Sequence, residues 1–125
     1  MIRGVRGATT VRVNTEEAIV AAAKEMLAHL IEQNQIKADD VASVFISTTE
    51  DLDAVFPAKA LREFEGWTFV PVMCMREIPV TNSLKMCIRV MMHVNTDRSQ
   101  EEIIHVYLNE AKVLRPDLES STNRT

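Results

Sequence analysis

The chain has 125 residues, enough for a single domain with one core. It is 46% hydrophobic and 26% charged, with a net charge of −4, which argues against sequence-independent binding to nucleic acid or to anionic membranes. No stretch reaches the roughly 18 apolar residues of a membrane span, and residues 1–8 carry arginines and glycines where a signal peptide would be apolar, so a cytoplasmic location is expected.

Residues 2–11, IRGVRGATTV, read as a strand interrupted by glycines, which mark bulges or close backbone approaches. Asn14, with Glu17 three residues on, reads as the capping box of a long helix. Ile19, Ala23, Met26, Leu27, Leu30 and Ile31 then recur at helical spacing, so the helix is expected to run to about Asn34. Residues 41–48, VASVFIST, are β-branched and mostly apolar, as in a buried strand. After an acidic turn, Pro57 opens a short helix, PAKALREF, which Gly66 ends.

A third strand is expected over 69–75, where Pro71 marks an edge position or a bulge. A turn over 79–83 leads to a fourth strand over 86–94. Ser99 and Glu102 form a capping box before a short helix through about Tyr107. Residues 111–114 read as a last short strand, ended by Pro116. The domain is expected to span 1–118, and 119–125 to be a flexible tail. The order β-α-β-α-β-β-α-β indicates an α+β (α/β-like) fold, a mixed sheet packed on one long helix and short helices.

The fourth strand carries the clearest chemical signal. Met86, Ile88, Val90, Met92 and Val94 alternate toward a core, which puts Cys87, Arg89, Met91 and His93 on the other face. A guanidinium among apolar neighbours needs a partner. It is either half of a structural ion pair or a fork of donors aimed at an anionic ligand. Arg3 and Arg6 in the first strand, Lys59 and Arg62 on one face of the short helix, and Arg115 after the last strand are further cations. Each alone also fits a solvated surface charge, and Tyr107, the only tyrosine, also fits a core position with a satisfied hydroxyl. Cys74 and Cys87 form no C-x-x-C pair, and His29, His93 and His105 are scattered, so no metal site is expected. The chain has no P-loop, no G-x-G-x-x-G and no G-x-S-x-G, so no nucleotide cofactor or serine nucleophile is expected.

Several stretches, taken together and in order, resemble the monofunctional chorismate mutases of the trimeric AroH class. They are IRGVRGATTV (2–11), DLDAVFPAKALRE (51–63), CIRVMMHVNTD (87–97) and HVYLNEAKVLRPDL (105–118), with the helix start TEEAI and the strand from Pro71 to Glu77. The resemblance implies a cofactor-free isomerase that rearranges the dicarboxylate chorismate to prephenate, for phenylalanine and tyrosine synthesis. It also implies a homotrimeric pseudo-α/β-barrel with active sites between subunits.

The same resemblance implies the site. Arg89 would donate to the ether oxygen of the breaking bond. Arg6, helped by the Tyr107 hydroxyl, would bind a carboxylate. Glu77 would accept from the ring hydroxyl, with Cys74 nearby. Val72 and Met73 would line the cleft, and Leu114 and Arg115 would close it. Phe56, Ala58, Lys59 and Arg62 would form a wall donated by the adjacent subunit. Two departures stand out: Met73 replaces a familiar threonine, and Asn82–Ser83 replaces a glycine-containing turn. Two rival readings share such a fold: a small-anion binding protein that has lost the chemistry, and an imine or enamine deaminase.

Overall fold

The computed structural model describes residues 1–114. Its strands are β1 (Ile2–Thr10), β2 (Val41–Thr48), β3 (Val72–Arg76), β4 (Cys87–Asn95) and β5 (Val106–Tyr107), with one α-helix, α1 (Glu16–Gln33). Short 3-10 helices cover Ala38–Asp40, Pro57–Glu63, Gln100–Glu102 and Asn109–Leu114. The strands form one mixed sheet in the order β3-β2-β4-β1-β5. β4 runs antiparallel to both β1 and β2, while β3 lies parallel to β2 and β5 parallel to β1.

The mixed sheet on a long helix is as the sequence indicates, but the expected pseudo-barrel is not. The sheet is open, because β3 and β5 lie at opposite edges with three strands between them and do not pair. A barrel needs its edge strands to hydrogen-bond to each other, and β5 offers only two residues for pairing.

Four local expectations also change. Thr15, not Asn14, caps α1, its hydroxyl accepting from Ala18 N at 3.2 Å. Asn14 instead pins the loop ahead of Phe56: its Nδ2 donates to Asp53 Oδ1 at 2.7 Å, and its Oδ1 accepts from Asp53 N at 3.1 Å and Ala54 N at 3.2 Å. The Ser99–Glu102 capping box forms, but its helix stops at Glu102 and the chain extends into β5. The reason is lateral: β1 supplies a parallel partner at Gly7 and Ala8, and Asn34 clamps Ile104 through its N–H and its carbonyl, both at 2.8 Å. Residues 111–114 belong to a 3-10 helix instead of a strand, and β3 begins at Val72, leaving Phe69 outside the sheet.

The core lies between α1 and one sheet face. Ile19, Ala23, Met26, Leu27 and Leu30 of α1 meet Val5, Val44, Ile46, Ile88, Val90 and Met92. Each large side chain buried there contributes about 1.5–3 kcal/mol. Gly7 sets how closely α1 approaches. A Cβ on it would meet Leu30 Cδ1 at 2.8 Å, Val90 Cγ1 at 3.0 Å and Met26 Cγ at 3.3 Å. Gly7→Ala is therefore expected to destabilise the fold by about 1–3 kcal/mol, as overpacked cores do. Urea unfolding checks this, and an unchanged midpoint would contradict the close packing.

Candidate active site

Cross-strand partners in a sheet project to the same face. Register therefore makes one row of Met75, Ser47, Arg89, Ala8 and Tyr107, running from β3 to β5 on the face away from α1. A second row on that face holds Met73, Phe45, Met91 and Arg6. The two rows frame a cleft of about 270 Å³ lined by Arg6, Phe45, Ser47, Met75, Glu77 and Arg89, among others.

Glu77 enters from the segment after β3. Its N–H donates to Thr48 O at 2.8 Å, which extends the β2–β3 pairing by one residue. Its carboxylate reaches back across β2, where Oε2 accepts from the Ser47 hydroxyl and lies 3.3 Å from Arg89 Nε. Both side chains keep some solvent contact, at 30% exposure for Arg89 and 23% for Glu77. The contact is an ion pair without a well-aligned hydrogen bond, since Arg89 Nε is buried with no hydrogen-bond partner among the described residues. Beneath it, burial pushes the Cys87 thiol pKa up, although the Arg89 charge opposes that shift. Cys87 is thus a neutral packing group and not a nucleophile.

Tyr107 ends the row. Its ring packs with Ala8, Leu84, Ala111 and Leu114, and its hydroxyl, too, is buried without a hydrogen-bond partner among the described residues. Two strand spacings of about 4.8 Å put its position about 10 Å from that of Arg89. Arg6 makes no ion pair among the described residues. Its backbone N–H donates to His105 Nδ1 at 3.0 Å, which ties the middle of β1 to the residue before β5.

The structure thus gathers Arg6, Glu77 and Arg89 in one cleft, with Tyr107 farther along the same face. The other candidates lie elsewhere. Val72 and Cys74 pair with Val44 and Ile46, so they project to the helix-side face and pack against the main core. Cys74 lines a separate cleft of about 510 Å³ together with Phe56, Arg76 and Met75, and Met75 borders both clefts. Met73 is on the Arg89 face but exposed.

Ala58, Lys59 and Arg62 sit on the Pro57–Glu63 helix, outside the Arg89 cleft. The Lys59 ammonium is hydrogen-bonded to Glu16, which raises its pKa. Leu114 packs beside Tyr107, and Arg115 lies outside the described residues. The Asn82–Ser83 turn closes without glycine: Asn82 takes φ 66°, a conformation asparagine tolerates, and the Ser83 hydroxyl donates to Val80 O at 2.7 Å.

Sequence reading missed Ser47, Phe45 and Met75 as cleft residues. The signal was present in VASVFIST, where alternation puts Ser43, Phe45 and Ser47 opposite Val44 and Ile46. A hydroxyl in such a strand is unremarkable until the register sets it beside Arg89.

Comparison with known proteins identifies relatives over nearly the whole chain. The Chorismate mutase type I family matches residues 2–118. Chorismate mutase AroH of Bacillus subtilis (strain 168) is 56% identical over 123 residues, covering 98% of this chain and 97% of that protein. Chorismate mutase AroH of Thermus thermophilus is 48% identical over 122 residues, covering 97% and 99%. The solved structure of a chorismate mutase from Clostridium thermocellum superposes with a TM-score of 0.86 at 52% identity, covering 89% of this chain and 98% of that one. With nearly every residue of the sheet, its helix and its arginine-bearing cleft inside these matches, the chain belongs to the type I chorismate mutase family.

Proposed function

We propose that the protein is an isomerase that rearranges chorismate to prephenate in the cleft beside Arg89. The observation that carries this reading is the pair of buried donors, Arg89 Nε and the Tyr107 hydroxyl, neither of which makes a hydrogen bond among the described residues, set along one row of the sheet. Buried donors without acceptors are costly. A dianion with acceptors some distance apart would satisfy both.

The rearrangement breaks a C–O bond as a C–C bond forms, and no proton is transferred. The protein has two tasks. One is to hold the enolpyruvyl side chain over the ring, which removes the entropic part of the barrier. Arg6 and the Tyr107 hydroxyl serve this by gripping a carboxylate, and Glu77 by accepting from the ring hydroxyl. The other task is to stabilise negative charge growing on the ether oxygen. Arg89 serves it, because a guanidinium is permanently charged and presents directed donors. Met73 contributes no side-chain hydrogen bond, and Leu114, packed beside Tyr107, bounds the far end of the row.

The functional unit in this reading is a homotrimer with sites between subunits. Phe56, Ala58, Lys59 and Arg62 would then wall a neighbour's cleft. Supporting this, they cluster on one stretch outside the Arg89 cleft, where Phe56 is 75% exposed and free to be covered by a neighbour. The cytoplasm suits the two free thiols, Cys74 and Cys87, and no helix among the described residues is long and apolar enough to cross a membrane.

Incubation with chorismate in deuterated water, followed by NMR, tests the reaction. Prephenate free of solvent-derived deuterium is expected. Turnover of enamines without turnover of chorismate would favour the deaminase reading, and binding of chorismate without prephenate would favour an anion-binding protein.

A further inference from the structure

Glu77 and Arg89 carry opposite charges at close range in a half-buried cleft. Such a pair frequently forms a two-bonded fork that occupies two guanidinium donors. Here it does not: Oε2 lies 3.3 Å from Nε, yet Nε forms no aligned hydrogen bond. What differs is Ser47. Its hydroxyl donates to that same Oε2, and register sets Ser47 directly opposite Arg89 on the shared face. The main chain of Glu77 is already held by Thr48 O at 2.8 Å, and the Ser47 hydroxyl ties its carboxylate as well.

We propose that Ser47 is a positioning residue for the reaction. By engaging Glu77 Oε2 it holds the carboxylate short of a full fork with Arg89. The Arg89 donors stay available to the ligand, and Glu77 Oε1 stays available to a ligand hydroxyl. This inference rests on the reading of the cleft as the site of chorismate rearrangement.

Steady-state kinetics on Ser47→Ala, Ser47→Thr, Glu77→Gln and the double variant Ser47→Ala/Glu77→Gln test it. Removing one hydrogen bond to a charged group should lower kcat about tenfold, with KM moving far less, because the freed carboxylate draws Arg89 away from the transition state more than from the ground state. Threonine, which keeps the hydroxyl, should restore most of kcat. In the Glu77→Gln background, Ser47→Ala should cost nothing further, since the two residues act as one unit. A merely structural serine would give an equal loss in both backgrounds, accompanied by a lower melting temperature.

Wild-type kcat in Ser47→Ala, additive losses, or a threonine variant as poor as alanine would each overturn the proposal. If Ser47→Ala does not fold, Ser47→Cys, of similar shape and a weak donor, takes its place. The underlying site reading fails by a different sign, full activity in both Glu77→Gln and Arg89→Ala.

Discussion

Arg89→Ala is expected to lower kcat for chorismate by about 10²–10³, equivalent to about 3–4 kcal/mol of transition-state stabilisation. The magnitude follows from where the charge sits. Arg89 lies mid-strand in β4, between β1 and β2, so its backbone is fixed on both sides by long antiparallel ladders. A donor held this way spends little free energy on reorganisation as charge develops on the ether oxygen. The loss should fall mainly on kcat, because the ether oxygen carries little charge in bound chorismate and much more in the transition state. The fold should survive. The side chain is on the face away from α1 and its core, and Glu77 keeps its bonds to Ser47 and to Thr48 O. Circular dichroism and melting alongside kinetics check both halves of this expectation.

Arg6→Ala is expected to act differently, raising KM by about 10–100-fold with a smaller change in kcat. A charge-assisted hydrogen bond is worth about 1.5–3 kcal/mol, and a carboxylate carries the same charge before and during the rearrangement. Its loss is therefore a loss of uniform binding. The side chain can be removed without disturbing the strand, since what anchors this part of β1 to His105 is the Arg6 backbone N–H. Initial-rate curves over a wide chorismate range separate the two effects. An Arg6→Ala variant with normal KM and depressed kcat would reassign Arg6 to the breaking bond.

Much of this site was legible in the sequence because strand alternation is a strict code. The apolar run Ile88, Val90, Met92, Val94 fixed the face of Arg89, and the structure buries all four on the helix side. Pro71 suggested an edge position or a bulge within the strand; β3 is an edge strand, but it begins at Val72, with Pro71 just ahead of it. What stayed hidden depends on long-range pairing. Asn14 and Thr15 are both good caps side by side, and only the Asp53 loop, brought in by the fold, decides between them by taking Asn14. The capping box at Ser99 pointed to a helix through about Tyr107, but residues 103–107, IIHVY, favour extended structure, and Gly7 and Ala8 of β1 supply the strand partner from almost 100 residues away.

The same dependence hid the Arg89–Glu77 contact and its tie to Ser47, because three separate segments meet there. It also separated Val72 and Cys74 from the Arg89 face, a distinction that requires the β2–β3 register. The barrel expectation failed for a related reason. It came from resemblance, whereas the edges of this sheet, at β3 and β5, are left open by the chain's own strand order.

The most direct test of the account follows the loss of chorismate absorbance after adding wild-type protein, beside Arg89→Ala at the same concentration and at saturating substrate. Rapid decay to prephenate with the wild type, and decay slowed by at least about 10² with the variant, is the predicted result. Equal rates from two equally folded proteins would contradict the role given to Arg89, and no decay with either would contradict the proposed reaction itself.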